Sequence, residues 1–198
     1  MIPNTQAPKK KGPKDIKVII GLGNPGSEYC NTYHNAGALA LPVLAAHLAP
    51  DAFDTNSKIS TPLTFKRYKN IFEYATAGKF IFVKPLVFMN ESGEAVKAAL
   101  RVLKAKPYEI AVAHDDSDLT IGNFKIAFGG GAAGHNGIRS IVAHLKTEEF
   151  TRIRIGIRAA NEITRKKAGD FVLSPITGTN MKKLEIVFEK IAEELYSS

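Results

Sequence analysis

The sequence predicts an α/β domain, a single mixed β-sheet flanked by helices. Short β-rich runs interleave with segments whose apolar residues recur at i, i+3, i+4 and i+7, so strands alternate with amphipathic helices. Two β runs, Thr64–Tyr68 and Phe72–Thr76, are separated only by Lys69-Asn70, which suggests a hairpin and makes the sheet mixed. The 198 residues are 44% hydrophobic and 23% charged, a globular composition able to bury a core without disulfides.

Taken in order, Lys17–Ile20 reads as a buried strand running into the tight turn Gly21-Leu22-Gly23-Asn24-Pro25-Gly26. A helix follows over Ala36–Leu48, where Pro42 should kink or delay it. After the hairpin, Lys79–Val83 is a third β run. Past Lys84-Pro85, the spacing of Val96, Ala99, Leu100 and Leu103 predicts a helix that Pro107 stops. Glu109–Ala113 is the next strand and ends in His114-Asp115-Asp116. Asn123–Phe128 is another, entering Gly129–Gly131, after which Ile138, Ile141, Val142 and Leu145 take helical spacing. Arg152–Ile157 alternates charge with isoleucine, the pattern of a strand with one wet face. Leu184, Val187, Phe188, Ile191 and Leu195 close the chain with an amphipathic helix. Residues 1–15 read as a flexible basic tail ahead of one domain over residues 16–198.

Charge and composition narrow the function classes. Lys and Arg number 27 against 19 Asp and Glu, a formal +8 that favours polyanionic partners. Half of it falls between Thr120 and Arg158, where Lys125, Arg139, Lys146, Arg152, Arg154 and Arg158 face only Glu148 and Glu149. No apolar window is long enough to span a membrane, and the tail lysines are not followed by the apolar stretch of a secretory signal. Cys30 is the single cysteine, which excludes a disulfide scaffold and fits a reducing compartment.

The glycine motifs are weaker than they look. Gly21 to Gly26 satisfies G-x-G-x-x-G after a strand, which raises a nicotinamide-dependent oxidoreductase as an alternative. Pro25 inside the loop and the polar stretch Ser27–Thr32 delay the helix that would hold a pyrophosphate, so the glycines read as a sharp turn presenting Asn24 at the strand end. Gly129 to Gly134 has phosphate-loop spacing but lacks the following Lys and Ser/Thr. Asp115, Asp116 and Asp118 do not match a calcium loop, and Asp116 and Asp118 read as turn residues.

Asp115 stands apart because it closes a strand, where open α/β sheets place their ligand crevice. Among five histidines, His34 stands out for its polar surroundings just after the first turn. Asn24, Asn90 and Asn136 also fall at successive strand ends. Asn90 and Asn136 precede helical patterns, so helix capping is their competing role.

Six blocks in order, GLGNPGSEY (Gly21–Tyr29), YHNAG (Tyr33–Gly37), KPLVFMNESG (Lys84–Gly93), AHDDSDL (Ala113–Leu119), GGGAAGHNGIRS (Gly129–Ser140) and RIRIGI (Arg152–Ile157), resemble the bacterial-type peptidyl-tRNA hydrolases. The resemblance implies hydrolysis of the ester joining a peptide to tRNA, with no metal or cofactor. It implies His34 as catalytic base and Asp115 as its partner. Asn24, Asn90 and Asn136 would position substrate and water, Tyr29, Phe88 and Met89 would line the crevice, and Asn35 and His135 would flank it. Lys125 and Arg154 fall where the family holds a tRNA phosphate. The implied enzyme is a monomer that binds peptidyl-tRNA and no membrane, working in the cytoplasm or, in a eukaryote, in mitochondria. The sequence departs from the family pattern at Ala127, where many relatives carry a second basic residue, and at Ala133 and Arg158, where glycine is usual.

Overall fold

A computed structural model describes residues 16–50, 63–159, 169 and 171–197. The proposed tail, residues 1–15, lies outside them, as do Asp51 and Asp54. Seven strands form one sheet: β1 (Val18–Gly21), β2 (Lys66–Tyr68), β3 (Phe72–Ala77), β4 (Phe80–Pro85), β5 (Ile110–Thr120), β6 (Phe124–Phe128) and β7 (Thr151–Arg158). Four helices accompany them: α1 (Ala36–Leu48), α2 (Ser92–Leu103), α3 (Asn136–Leu145) and α4 (Gly178–Ser197). The expected α/β architecture is present.

The strand order is β2-β3-β4-β1-β5-β7-β6. The four central strands β4, β1, β5 and β7 are parallel, and antiparallel pairs at both edges make the sheet mixed. Side chains alternate across the sheet as the two-residue period of a strand requires. Ile19, Phe82, Ala111, Ala113, Ile153 and Ile155 pack with α1 and α4 on one face. Val18, Ile20, Val83, Ile110 and Val112 pack with α2 and α3 on the other. Both faces are covered, so the central strands read as continuous apolar runs.

This order makes β1 the switch point. The chain leaves it through α1 toward β4 on one side and returns through α2 to β5 on the other. Loops after β1, β4 and β5 therefore diverge and leave a crevice above their carboxyl ends.

Several local expectations change. Pro42 neither delays nor ends α1, which begins at Ala36; the ring sits on the exposed side of the helix. Lys104, in the left-handed conformation (φ 52°), ends α2 before Pro107 is reached, and Pro107 instead opens a 3-10 turn. Asp116 and Asp118 belong to β5, which runs past its expected end, although Asp116 Oδ1 still accepts from the Asp118 N–H at 2.9 Å. The arginines of β7 do not make a wet face. Arg152 is buried and Arg154 largely so, because each finds oxygen partners on neighbouring strands or loops.

Candidate active site

His34 sits in a 3-10 turn, Tyr33–Asn35, that leads directly into α1. Its backbone N–H donates to the Val172 carbonyl at 2.8 Å, which fixes the turn against the segment before α4. Gly37, in the first turn of α1, lies so close to the first half of β5 that a Cβ there would meet the Ala113 carbonyl oxygen at 2.1 Å, and Asp115 sits within this strand rather than closing it. A glycine at this point thus brings His34 beside Asp115, two residues beyond Ala113. Strand alternation places Asp115 with Ala111 and Ala113, and His114 with Ile110 and Val112.

His34 Nδ1 lies 2.9 Å from Asp115 Oδ1, and His135 Nε2 lies 2.9 Å from the same oxygen. His114 Nδ1 lies 2.7 Å from the Asp115 backbone carbonyl. Three imidazoles therefore hold one buried aspartate, two at its side chain and one at its main chain. The His135 ring lies between the other two, tilted 48° to His34 at 5.0 Å and edge-on to His114 at 4.7 Å between centroids. His34, His114, Asp115, His135 and Asn136 line a single cavity of about 130 Å³.

The electrostatics follow from burial. Burial by itself raises the Asp115 carboxyl, but the adjoining imidazoles, His135 foremost, outweigh it and hold the group well below the usual carboxylate range. His114 moves the other way: burial and the neighbouring His135 lower it to about 3, so its ring is neutral at physiological pH. Its Nε2 is buried without a partner among the described residues.

Neither Asn90 nor Asn136 is a cap. The N-cap of α3 is His135, whose side chain accepts from the N–H groups of Gly137 and Ile138 at 3.1 and 3.3 Å. The residue before α2 is Glu91, with no side-chain cap. Asn136 stands in the cavity wall with its Oδ1 bonded by Arg139, which leaves its N–H groups as the free donors of that amide.

Asn24 and Asn35 form an interlocked pair. Asn35 Oδ1 accepts from the Asn24 N–H at 2.8 Å and Asn35 Nδ2 donates to the Asn24 carbonyl at 3.0 Å. Asn24 Oδ1 accepts from the Met89 N–H at 2.8 Å, joining the loop after β1 to the loop after β4. Its Nδ2 has no protein partner among the described residues. A Cβ on Gly23 would meet the Asn35 side chain at 2.9 Å, so that glycine accommodates the amide pair rather than a pyrophosphate. Asn24 and Asn35 border an open groove of about 620 Å³ next to the histidine cavity. Tyr29 and Phe88 meet edge to face at 6.3 Å, with Phe88 half exposed. Asn90 is exposed and makes no side-chain hydrogen bond among the described residues.

The expected phosphate ligands Lys125 and Arg154 face each other across the β6–β7 register. Arg154 Nε donates to Asp116 Oδ2, so a carboxylate shares that arginine. Arg152, which the charge count assigns to the same basic face, points inward. It donates to the carbonyls of Gly129, at 2.6 Å, and Gly131, anchoring the glycine loop that leads to His135. Sequence reasoning missed this role, as it missed Asp116 and His114. The only visible signals were the adjacency His114-Asp115-Asp116 and the in-phase arginines of the RIRIGI block.

His34, Asp115 and His135 present ligand-type atoms within 4.8 Å of one another. The donor set does not fit a metal as it stands. His135 Nδ1 is occupied by two backbone N–H groups, so its proton resides on Nε2, the atom a metal would need. Among the described residues no helix is long and apolar enough to cross a membrane.

Comparison with known proteins bears on the whole domain. The family model described as peptidyl-tRNA hydrolase matches residues 18–198. A peptidyl-tRNA hydrolase of Coxiella burnetii is 36% identical over 197 residues, covering 92% of this chain and 98% of that protein. One of Marinobacter nauticus is 39% identical over 184 residues, covering 92% and 88%. The crystal structure of the peptidyl-tRNA hydrolase from Acinetobacter baumannii superposes with a TM-score of 0.76 at 29% identity, covering 91% of this chain and 87% of that one.

Proposed function

This chain belongs to the peptidyl-tRNA hydrolase family, and from that membership we propose a mechanism in which His34 activates water to cleave the ester between peptide and tRNA. The enzyme is a hydrolase; what is proposed is how its residues work. The observation that carries the reading is the 2.9 Å contact from His34 Nδ1 to the buried Asp115 carboxylate within a cavity. A carboxylate at Nδ1 keeps the proton on that nitrogen and leaves the Nε2 lone pair as the base.

On this reading Nε2 takes a proton from water as its oxygen attacks the ester carbonyl. The carbonyl π pair moves onto oxygen, and the amide N–H groups of Asn24, Asn90 and Asn136 stabilise that charge. An amide supplies a donor without the repulsion a carboxylate would bring. The tetrahedral intermediate collapses, the bond to the ribose oxygen breaks, and the imidazolium returns its proton to that oxygen. Free tRNA and a peptide with a new carboxyl group leave. No covalent enzyme intermediate and no metal take part.

Tyr29, Asn35, Phe88 and Met89 form the surroundings of the acyl group, while Lys125 and Arg154 hold tRNA through phosphate. Phosphate contacts carry no base sequence, so the enzyme accepts tRNAs generally. The reading includes a monomer at work in the cytoplasm, in translation, and the single unpaired Cys30 fits that reducing compartment.

The test is hydrolysis of a peptidyl-tRNA by wild type and His34→Ala, with tRNA affinity measured on both. Lost turnover with retained affinity is expected. Turnover of His34→Ala near the wild-type rate overturns the assignment of the base.

A further inference from the structure

We infer that His135 is a positioning residue for Asp115 rather than a substrate contact: its ring spans from the N-terminus of α3, through Nδ1, to the carboxylate, through Nε2. The inference rests on the reading of His34 and Asp115 given above and goes beyond it, because it assigns a proton and a task to a side chain that reading places only at the edge of the site.

The argument begins with the two ring nitrogens. Nδ1 faces the N–H groups of Gly137 and Ile138, at 3.1 and 3.3 Å, and both are donors, so Nδ1 contributes a lone pair. The one proton of the neutral ring is then on Nε2, 2.9 Å from Asp115 Oδ1, where it donates. Placing a second proton on Nδ1 would set an N–H against two others at the positive end of a ten-residue helix. Both ring nitrogens are therefore engaged within the protein, and the ring touches the same carboxylate as His34.

Other charged and titratable groups around it are consistent with this role. His34 and His114 flank the ring on either side, Asp115 accepts its proton, and Asp116 is engaged by Arg154. The His135 side chain is itself buried, 7% exposed, which leaves little surface for a substrate. Its consequence is geometric. Asp115 Oδ1 is approached by N–H donors from two elements, the turn before α1 and the cap of α3, and so cannot swing toward either. His34 is aligned through an aspartate that the cap of α3 holds in place.

Substitution separates the two ends of the ring. In His135→Asn, Oδ1 takes the place of Nδ1 and the cap is kept, but nothing reaches Asp115. In His135→Gln, the longer amide reaches Asp115 with an N–H while the cap is lost. We expect His135→Asn to keep the wild-type Tm and lose kcat by roughly tenfold or more, with KM within about twofold, as when an orienting partner is removed. His135→Gln should recover much of that kcat and melt roughly 2–4 °C lower. The ring nitrogens of His135, read by NMR in the intact wild-type protein at neutral pH, should show the proton on Nε2 and a bare Nδ1.

An Nδ1–H tautomer, or variants whose kcat merely follows their Tm, would overturn the inference. So would a rise in KM at unchanged kcat, the mark of a substrate contact. His34→Ala keeps the two questions apart. If it remains active, the reading of the base fails. If it is inactive while His135→Asn leaves kcat intact, only the role of His135 fails.

Discussion

His34 and Asp115, separated by 81 residues in the chain, meet at 2.9 Å in a buried contact. In the proposed mechanism the carboxylate fixes which nitrogen of the ring is free and stabilises positive charge as it forms there. Asp115→Asn keeps an oxygen acceptor but removes the charge. Its kcat on peptidyl-tRNA should fall by about 10²-fold or more at saturating substrate, with the fold intact by circular dichroism. A loss confined to KM would remove Asp115 from the chemistry.

His114 sets an acid limit on stability. Its folded-state pKa, about 3, lies below the ordinary histidine value, so between those two pH values only the unfolded chain takes up a proton there. Stability from this residue is complete above about pH 6.5 and is lost as pH falls, at up to roughly 1.4 kcal/mol per pH unit. Denaturant melts of wild type at pH 7 and pH 5 should show that loss, and His114→Phe should show a shallower slope whatever its stability at pH 7. Equal slopes would mean the ring is protonated without penalty.

Arg152 secures the glycine loop through two carbonyls, a fork that lysine cannot reproduce. Arg152→Lys should destabilise the protein by about 1–3 kcal/mol, the range for losing hydrogen bonds made by a charged group that is itself buried. Amide hydrogen exchange should rise between Gly129 and Gly134 and stay unchanged in α4. Uniform exchange across the molecule would assign Arg152 to global stability instead of this loop.

Lys125 is proposed to meet tRNA as a point charge. Lys125→Ala should weaken tRNA binding evenly across tRNA sequences and reduce the slope of log affinity against log salt by about one. An unchanged slope would take Lys125 off the phosphate path.

Ala133 adopts a left-handed backbone (φ 47°) in the loop that lines the histidine cavity, where glycine is usual in the family. A methyl group tolerates that conformation at a cost; a β-branched side chain tolerates it poorly. Ala133→Val should lower Tm, and Ala133→Gly should match or exceed wild type. The opposite order in a thermal melt would contradict the strain.

Much of this molecule was legible from local pattern. Among the described residues, β-rich runs and helical spacings located the seven strands and three of the four helices, and the helix over Ala36–Leu48, buried along much of its length, was placed without a clear periodic face. The candidate base and its partner were reached by resemblance and by position, since strand ends in α/β sheets open onto crevices. What failed were readings that depended on a partner elsewhere in the chain. Asn136 precedes a helix as a cap would, yet His135 does the capping. Asp116 resembles a turn residue until Arg154 is found beside it. Arg152 and Arg154 look solvated in a single strand, and their partners sit on a glycine loop and on β5.

The sequence by itself determined the class of fold, the order of its elements, the family and the candidates His34 and Asp115, because periodicity and motifs are written in consecutive positions. The tertiary structure alone decided which groups face the ring nitrogens of His34, His114 and His135 and which arginine turns inward. A proton's location depends on which donors and acceptors lie within about 3 Å, and those neighbours come from segments the chain order keeps far apart.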